Sequence, residues 1–190
     1  MPVEPQAPIA SIRAARAGDA TGIARVQVET WRDAYAGLLP DKHLLRLDPH
    51  AQAIAWTRNL SRADGLRHMM VAIASDTIVG FVNFGTARDG RPKGEGEVFM
   101  LYVATDWRER GIGRQLTKAA VGALAHAGHI SASIWCLAEN ASAIGFYRRL
   151  GGERIAMSRQ ETIGGTNFPV IGFLWQLVGD DGLEPPTFSV

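Results

Sequence analysis

The clearest chemical signal in this 190-residue chain is a glycine- and arginine-rich segment, Arg108-Glu109-Arg110-Gly111-Ile112-Gly113-Arg114. It follows a long apolar run and precedes an amphipathic stretch, so we predict a turn that opens a helix. The glycines let the backbone turn tightly and let a ligand approach closely. Because the unpaired amides of a helix N-terminus favour an anion, and guanidinium groups lie beside them, the turn suits a pyrophosphate.

Two other phosphate-binding patterns do not fit this segment. The dinucleotide-binding fingerprint requires a third glycine where Leu116 stands. The P-loop requires Lys followed by Ser or Thr, whereas Gly113 is followed by Arg114 and Gln115. A plain tight turn without a ligand stays open as an alternative at this point.

The elements that position this turn are predicted from hydrophobic periodicity and from turn residues. Helices are predicted over residues 20–35, 40–47, 51–60, 111–126 and 141–150. Strands are predicted at 11–15, 69–74, 78–84, 97–104, 130–137, 153–163 and 168–178, and residues 88–96 are interpreted as a loop. Strands interleaved with helices in this way imply a mixed sheet that is covered on both faces.

Length and composition limit the classes of function. One domain is expected over residues 10–178, between a flexible lead-in at 1–9 and a disordered tail at 179–190. The net charge of +1 provides no positive surplus for nucleic acid or an acidic membrane. No apolar run approaches the length of a membrane span, and the N-terminus lacks a secretory pattern, so a cytoplasmic location is expected. A single cysteine, with five histidines that lack ligand spacing, predicts no metal site.

Three segments together resemble the GCN5-related N-acetyltransferase (GNAT) family, over about Ile12 to Leu177. Residues 108–113 are similar to the family's Q/R-x-x-G-x-G/A pyrophosphate loop, and GEVFMLYV before them is similar to its fourth strand. The segment from Asn140 to Gly151 is similar to its closing N-x-x-A-x-x-F-Y-x-x-L-G pattern. The resemblance implies an α/β (mixed α+β) fold, with a twisted, mostly antiparallel mixed sheet of six to seven strands and helices on both faces.

The same resemblance implies an acetyl-CoA-dependent N-acetyltransferase, an acyltransferase that moves an acetyl group to a primary amine by direct attack within a ternary complex. Whether the natural group is acetyl or a longer acyl chain stays open. Asn140 also fits the N-cap of the following helix. The coenzyme is expected to contact Leu101, Tyr102, Val103, Arg108, Glu109, Arg110, Gly111, Ile112, Gly113, Arg114 and Asn140.

Amine acetylation requires a proton acceptor for the ammonium group, donors for the thioester oxygen and a proton for the departing thiolate. The resemblance makes Glu97 the candidate base, with a water chain as the alternative, and Tyr147 the candidate acid. Glu95 is expected to face solvent. Backbone amides near 101–103 are expected at the oxyanion, where a β-bulge would expose them. Cys136 is interpreted as a core residue rather than a nucleophile.

Trp31 and Tyr35, spaced i and i+4 on a predicted helix, are the candidate acceptor-binding residues, with core packing as the alternative. Residues 161–168 are expected to border the same site. The leading hypothesis is a small-molecule amine acceptor. A protein N-terminus or lysine as acceptor, or an acyl-CoA-binding module without activity, stays open. No nucleic-acid or membrane partner is expected, and a homodimer formed through edge strands is compatible with this fold.

Overall fold

A mixed β-sheet with helices on both faces positions every candidate residue. The computed structural model describes residues 10–61, 67–88, 95–157 and 159–177. The predicted lead-in, the predicted tail and residues 89–94 of the predicted loop lie outside the described residues. In chain order the elements are β1 (Ser11–Ala14), α1 (Ala20–Ala34), α2 (Asp41–Leu45), α3 (Pro49–Leu60), β2 (Arg67–Ala74), β3 (Thr77–Thr86), β4 (Glu95–Val103), α4 (Ile112–His126), β5 (Ser131–Leu137), α5 (Ala141–Arg149), β6 (Glu153–Arg154), β7 (Arg159–Ile163) and β8 (Thr166–Gln176).

The strands form one sheet in the order β1-β2-β3-β4-β5-β8-β6, and β7 also pairs with β8. Neighbouring strands are antiparallel except β4 and β5, which are parallel. The predicted mixed, mostly antiparallel sheet is therefore confirmed. The described sheet has eight strands rather than six or seven, because residues 153–163 do not form one strand. β6 pairs with Phe173 and Leu174 near the end of β8 and β7 pairs with its beginning, so the chain shifts along β8 between them.

Apolar side chains of the sheet pack against helices on both faces. On one face, Leu116 of α4 lies in the same buried cluster as Phe173 of β8. On the opposite face, Ile23 of α1 and Trp56 of α3 share a cluster with Phe81 of β3. Each fully buried side chain of this size stabilises the fold by about 1.5–3 kcal/mol. These two layers hold α1 and α4 rigidly beside β4.

Strand β4 begins two residues earlier than predicted, and Glu95 does not face solvent as expected. Glu95 is 9% exposed, because it pairs with Ser131 of β5 and its carbonyl oxygen accepts a hydrogen bond from the Ala87 amide. The first four residues of β4 are buried, whereas residues 99–103 are partly exposed. The C-terminal half of β4 is thus left open.

Candidate active site

Strands β4 and β5 separate halfway along β4. They pair from Glu95 and Ser131 to Val98 and Ile134, while β4 continues to Val103 in pairing with β3. The gap opens into a cleft of about 460 Å³, bordered by both strands, α1, α5 and the turn before α4. Because β5 no longer pairs with β4 there, the edge of β4 over residues 100–103 faces this cleft without a neighbouring strand.

A β-bulge marks the point where the strands separate. Asn83 of β3 opposes Met100 and Phe84 opposes Val98, so the register shifts by one residue at Phe99. A bulge twists its strand and leaves backbone groups outside the ladder. The bulge was expected near 101–103, whereas the observed register shift lies two residues before that segment.

The glycine turn borders the cleft at the N-terminus of α4. Gly111 has a φ of +75°, a left-handed conformation that favours glycine. Gly113 lies against α5, since a Cβ at this position would be 3.2 Å from Phe146 Cζ. Both glycines line the cleft, whereas Ile112 is buried in the core. The turn therefore brings the unpaired amides and the positive dipole end of a 15-residue helix to the cleft.

Two of the three arginines of the turn line the cleft, namely Arg108 and Arg114. The third, Arg110, has its guanidinium 4.8 Å from the ring centroid of Trp107. Arg108 Nη1 donates to Asp33 Oδ2 at 2.6 Å, and its Nε donates weakly to the carbonyl of Val103 at 3.4 Å. Arg108, which was predicted for the coenzyme, is thus ion-paired with the last turn of α1.

Glu97 is fully buried and is not among the described residues that line the cleft. Its Oε1 accepts a hydrogen bond from Arg88 Nη2 at 2.6 Å, and its Oε2 accepts from the Arg88 backbone amide at 3.1 Å. The Arg88 guanidinium also lies 5.0 Å from the ring centroid of Phe99, the bulge residue. The Arg88 guanidinium thus contacts both Glu97 and a residue that lines the cleft, and the catalytic role of Glu97 stays a prediction.

Tyr147 and Cys136 are both buried and both line the cleft. Burial raises the pKa of the Tyr147 hydroxyl far above its ordinary value, and the neighbouring Cys136 raises it further. Burial also raises the pKa of the Cys136 thiol to about 11. Both groups keep their protons at neutral pH, so Tyr147 is chemically a proton donor and Cys136 is a thiol rather than a nucleophilic thiolate.

Asn140 stands where α5 begins, at the edge of the cleft. Its side chain accepts a hydrogen bond from the Ala143 amide at 3.0 Å, which confirms the predicted N-cap. An N-cap of this kind contributes about 0.5–2 kcal/mol to stability. Its contact with the coenzyme stays a prediction.

Aromatic side chains from α1 and β4 meet beside the cleft. The rings of Trp31 and Tyr35 are in edge-to-face contact, with centroids 5.1 Å apart. Tyr35 and Tyr102 line the cleft, whereas Trp31 packs behind Tyr35 in a cluster with Leu39 and Leu44. Burial raises the pKa of both phenols, and their mutual proximity raises that of Tyr102 further. Of the predicted pair, Tyr35 therefore faces the cleft and Trp31 supports it.

The structure gathers most of the predicted coenzyme-binding residues around one cleft, with Arg110 and Ile112 as the exceptions. Sequence reasoning missed cleft residues on other elements. Thr30 shares one face of α1 with Asp33, a spacing that could have been noticed once α1 was placed beside the turn. The other cleft residues that were not predicted are Ala34, Phe99, Met100, Trp107, Ile134, Trp135, Ser142, Ala143, Phe146 and Arg149. Ala143 and Phe146 belong to the segment 140–151, whose pattern could have indicated them.

Solved structures that share this fold belong to the class of N-acetyltransferases. One is the PaiA N-acetyltransferase of Thermoplasma acidophilum in complex with coenzyme A, which is 18% identical in sequence. The alignment covers 86% of this chain and 97% of that chain, with a TM-score of 0.67. Another is the ribosomal-protein-alanine N-acetyltransferase of Brucella melitensis, which is 22% identical in sequence. That alignment covers 88% of this chain and 99% of the other, with a TM-score of 0.69. At these identities the similarity establishes the fold.

The chain belongs to the acetyltransferase (GNAT) family, whose model matches residues 27–152. This range contains the strand separation, the glycine turn and Tyr147, so the family expected from the sequence is confirmed. A relative in Bacillus subtilis (strain 168), the uncharacterised N-acetyltransferase YuaI, is 28% identical over 166 residues, which cover 87% of this chain and 92% of the relative. The protein is accordingly an acetyl-CoA-dependent N-acetyltransferase.

Along the described part of the chain, no group of three His, Cys, Asp or Glu side chains is arranged to hold a metal ion. No helix in the same part is both long enough and apolar enough to cross a membrane.

Proposed function

We propose that this protein transfers the acetyl group of acetyl-CoA to the primary amine of a small molecule, by direct attack within a ternary complex. The observation that favours a small acceptor is the packing of the α1–α2 region against the β7–β8 hairpin. These are the two segments that were expected to border the acceptor.

The two segments contact each other directly. Leu39 and Leu44 share a buried cluster with Val170 and Phe168 of β8. The turn between β7 and β8 also lies against α2, since a Cβ at Gly164 would be 2.7 Å from His43 Nδ1. An extended peptide needs an open groove or a free strand edge to bind. Because this contact closes the groove that an extended peptide would need, a compact acceptor fits the site better than a polypeptide does.

The cleft fits the coenzyme that the family implies. The edge of β4 over residues 100–103 faces the cleft without a neighbouring strand, and such an edge can pair with the amides of a pantetheine arm. The cleft is also bordered by the N-terminus of α4, where Gly111 and Gly113 bring unpaired backbone amides close to a bound anion. The turn residues Arg108, Gly111, Gly113 and Arg114 would hold the pyrophosphate, and Asn140 would contact the arm.

Acetyl-CoA supplies the activated acyl carbon when it is bound. Backbone amides near residues 101–103, beyond the bulge, would stabilise the negative charge on the carbonyl oxygen. Tyr147 carries a proton at neutral pH and would donate it to the thiolate as the bond between carbon and sulfur breaks. Burial raises the pKa of the phenol, so this transfer depends on close contact with the sulfur rather than on a strongly acidic donor. Glu97, or a water chain leading toward it, would accept the proton of the amine. Tyr35 would contact the acceptor.

The test is calorimetric titration with acetyl-CoA, with NADH and ATP as controls, followed by a panel of acceptors read out by thiol release. The panel would contain amino acids, mono- and polyamines and aminoglycosides, together with peptides that offer an N-terminus or a lysine. We expect binding of acetyl-CoA alone and thiol release with small amines. Turnover confined to peptides would contradict the proposed acceptor, and absence of coenzyme binding would contradict the proposed function.

A further inference from the structure

An ion pair of Arg108 and Asp33 joins the glycine turn to α1. The two residues are 75 positions apart in the chain, and Arg108 Nη1 lies 2.6 Å from Asp33 Oδ2. The Thr105 hydroxyl donates to the same carboxylate oxygen at 3.2 Å. Both charged side chains line the cleft. A guanidinium that the proposed function assigns to a pyrophosphate is therefore already bound to an anion of the protein itself.

We propose that Asp33 competes with the coenzyme for Arg108, so that coenzyme binding exchanges the Asp33–Arg108 ion pair for a contact between Arg108 and the pyrophosphate. This inference rests on the proposed function, because it takes the turn as the pyrophosphate site. Asp33 thereby lowers the affinity for acetyl-CoA. Because the product coenzyme A carries the same pyrophosphate, Asp33 also weakens retention of the product.

The surroundings of the pair allow this exchange at low cost. The Asp33 side chain is 47% exposed and that of Arg108 is 38% exposed, so water can hydrate the carboxylate when the guanidinium leaves. The Thr105 hydroxyl remains as a donor to Asp33. The second bond of Arg108, from Nε to the Val103 carbonyl, is long at 3.4 Å. Pairs this exposed are weak, whereas bidentate arginine–phosphate contacts are among the strong hydrogen bonds.

The experiment measures the Kd of coenzyme A by calorimetry at low ionic strength for the wild type and for Asp33→Asn. Removing the competing charge is expected to tighten binding about threefold, in the range expected for an exposed ion pair. The matched control is Glu29→Gln, which removes a carboxylate one turn earlier on α1, where Glu29 pairs with Arg25 at 3.2 Å. The control is expected to leave the Kd unchanged. Asp33→Ser repeats the test with a smaller side chain.

Two further variants separate competition from simple charge repulsion. Arg108→Ala is expected to weaken binding of coenzyme A, and Asp33→Asn combined with Arg108→Ala is expected to bind no tighter than Arg108→Ala alone. An unchanged or raised Kd in Asp33→Asn would overturn the proposal, and so would an equal gain of affinity in both backgrounds. If the wild type binds coenzyme A in any of these cases, the proposed function stands and only the competition fails.

Discussion

Arg88 binds both carboxylate oxygens of Glu97, one through its side chain at 2.6 Å and one through its backbone amide at 3.1 Å. Glu97 is fully buried, and the same guanidinium covers the ring of Phe99 at the bulge. A charge buried in this way must be paired, because an unpaired one would cost several kcal/mol. The arrangement links the candidate base to the wall of the cleft through one cation.

Glu97→Gln is expected to lower the rate of acetylation and to flatten its rise with pH. The amide keeps the shape of the side chain but cannot accept the proton of the amine. Affinity for acetyl-CoA should be unchanged, because Glu97 does not line the described part of the cleft. The measurements are pH–rate profiles and calorimetric titration.

Arg88→Ala is the control for a purely structural effect of that substitution. It removes the cation and leaves the carboxylate, so it should cost stability, on the order of 3 kcal/mol by analogy with broken buried ion pairs, measured by denaturant unfolding. An unaltered pH profile in Glu97→Gln would remove Glu97 from the mechanism and leave it a support for Phe99.

Gly113→Trp is expected to abolish binding of acetyl-CoA. Gly113 lines the cleft at the beginning of α4, and an indole there would fill the space proposed for the pyrophosphate. The matched control is Gly122→Trp on the same helix, where a Cβ would meet nothing within 4 Å. Calorimetry measures binding, and circular dichroism checks that both variants fold. If Gly113→Trp binds acetyl-CoA with wild-type affinity, the pyrophosphate does not lie at this turn.

Tyr147→Phe is expected to reduce kcat by roughly 10²-fold or more, within the usual range for a lost general acid, and to leave the Kd of acetyl-CoA unchanged. Burial raises the pKa of this phenol, so it stays protonated throughout the working pH range and its loss should lower the rate at every pH. Tyr35→Phe is the comparison, because it removes another phenol of the cleft and should change the acceptor KM rather than kcat. Equal turnover of Tyr147→Phe and the wild type at saturating substrates would make Tyr147 a packing residue.

Cys136 is expected to resist alkylation by iodoacetamide at pH 7.5 and to react faster as the pH rises toward 11. Burial raises the pKa of this thiol to about 11, and only the thiolate reacts. In urea the same thiol should react readily near pH 8.5, because an unperturbed thiol has a pKa of about 8.5. Because the folded state favours the neutral thiol, Cys136 makes a pH-dependent contribution to the free energy of unfolding. This contribution is fully present below the pKa of the thiol in the unfolded chain, and it is lost as the pH rises through the pKa of the thiol in the folded protein. Rapid alkylation of the native protein at pH 7.5 would instead make a covalent acyl-thiol route through Cys136 plausible.

The local signals in the sequence were sufficient to identify the fold and one side of the site. The glycine turn at 108–114 was predictable because its glycines, its arginines and the helix that follows are neighbours in the chain. The division of residues 153–163 into β6 and β7 was not predictable, because it depends on which part of β8 each half meets. The burial of Glu95 likewise depends on its pairing with Ser131, 36 positions further on by number.

By itself the sequence determined the family, the position of the glycine turn, the N-cap role of Asn140 and the candidacy of Tyr147, since each is set by residues close together in the chain. Only the tertiary structure decided the partners of the charged residues. Arg108 is paired with Asp33, and Glu97 is paired with Arg88. The physical reason is that a short-range pattern specifies which helix or strand a side chain belongs to. The ion pair it forms depends on which elements pack beside it.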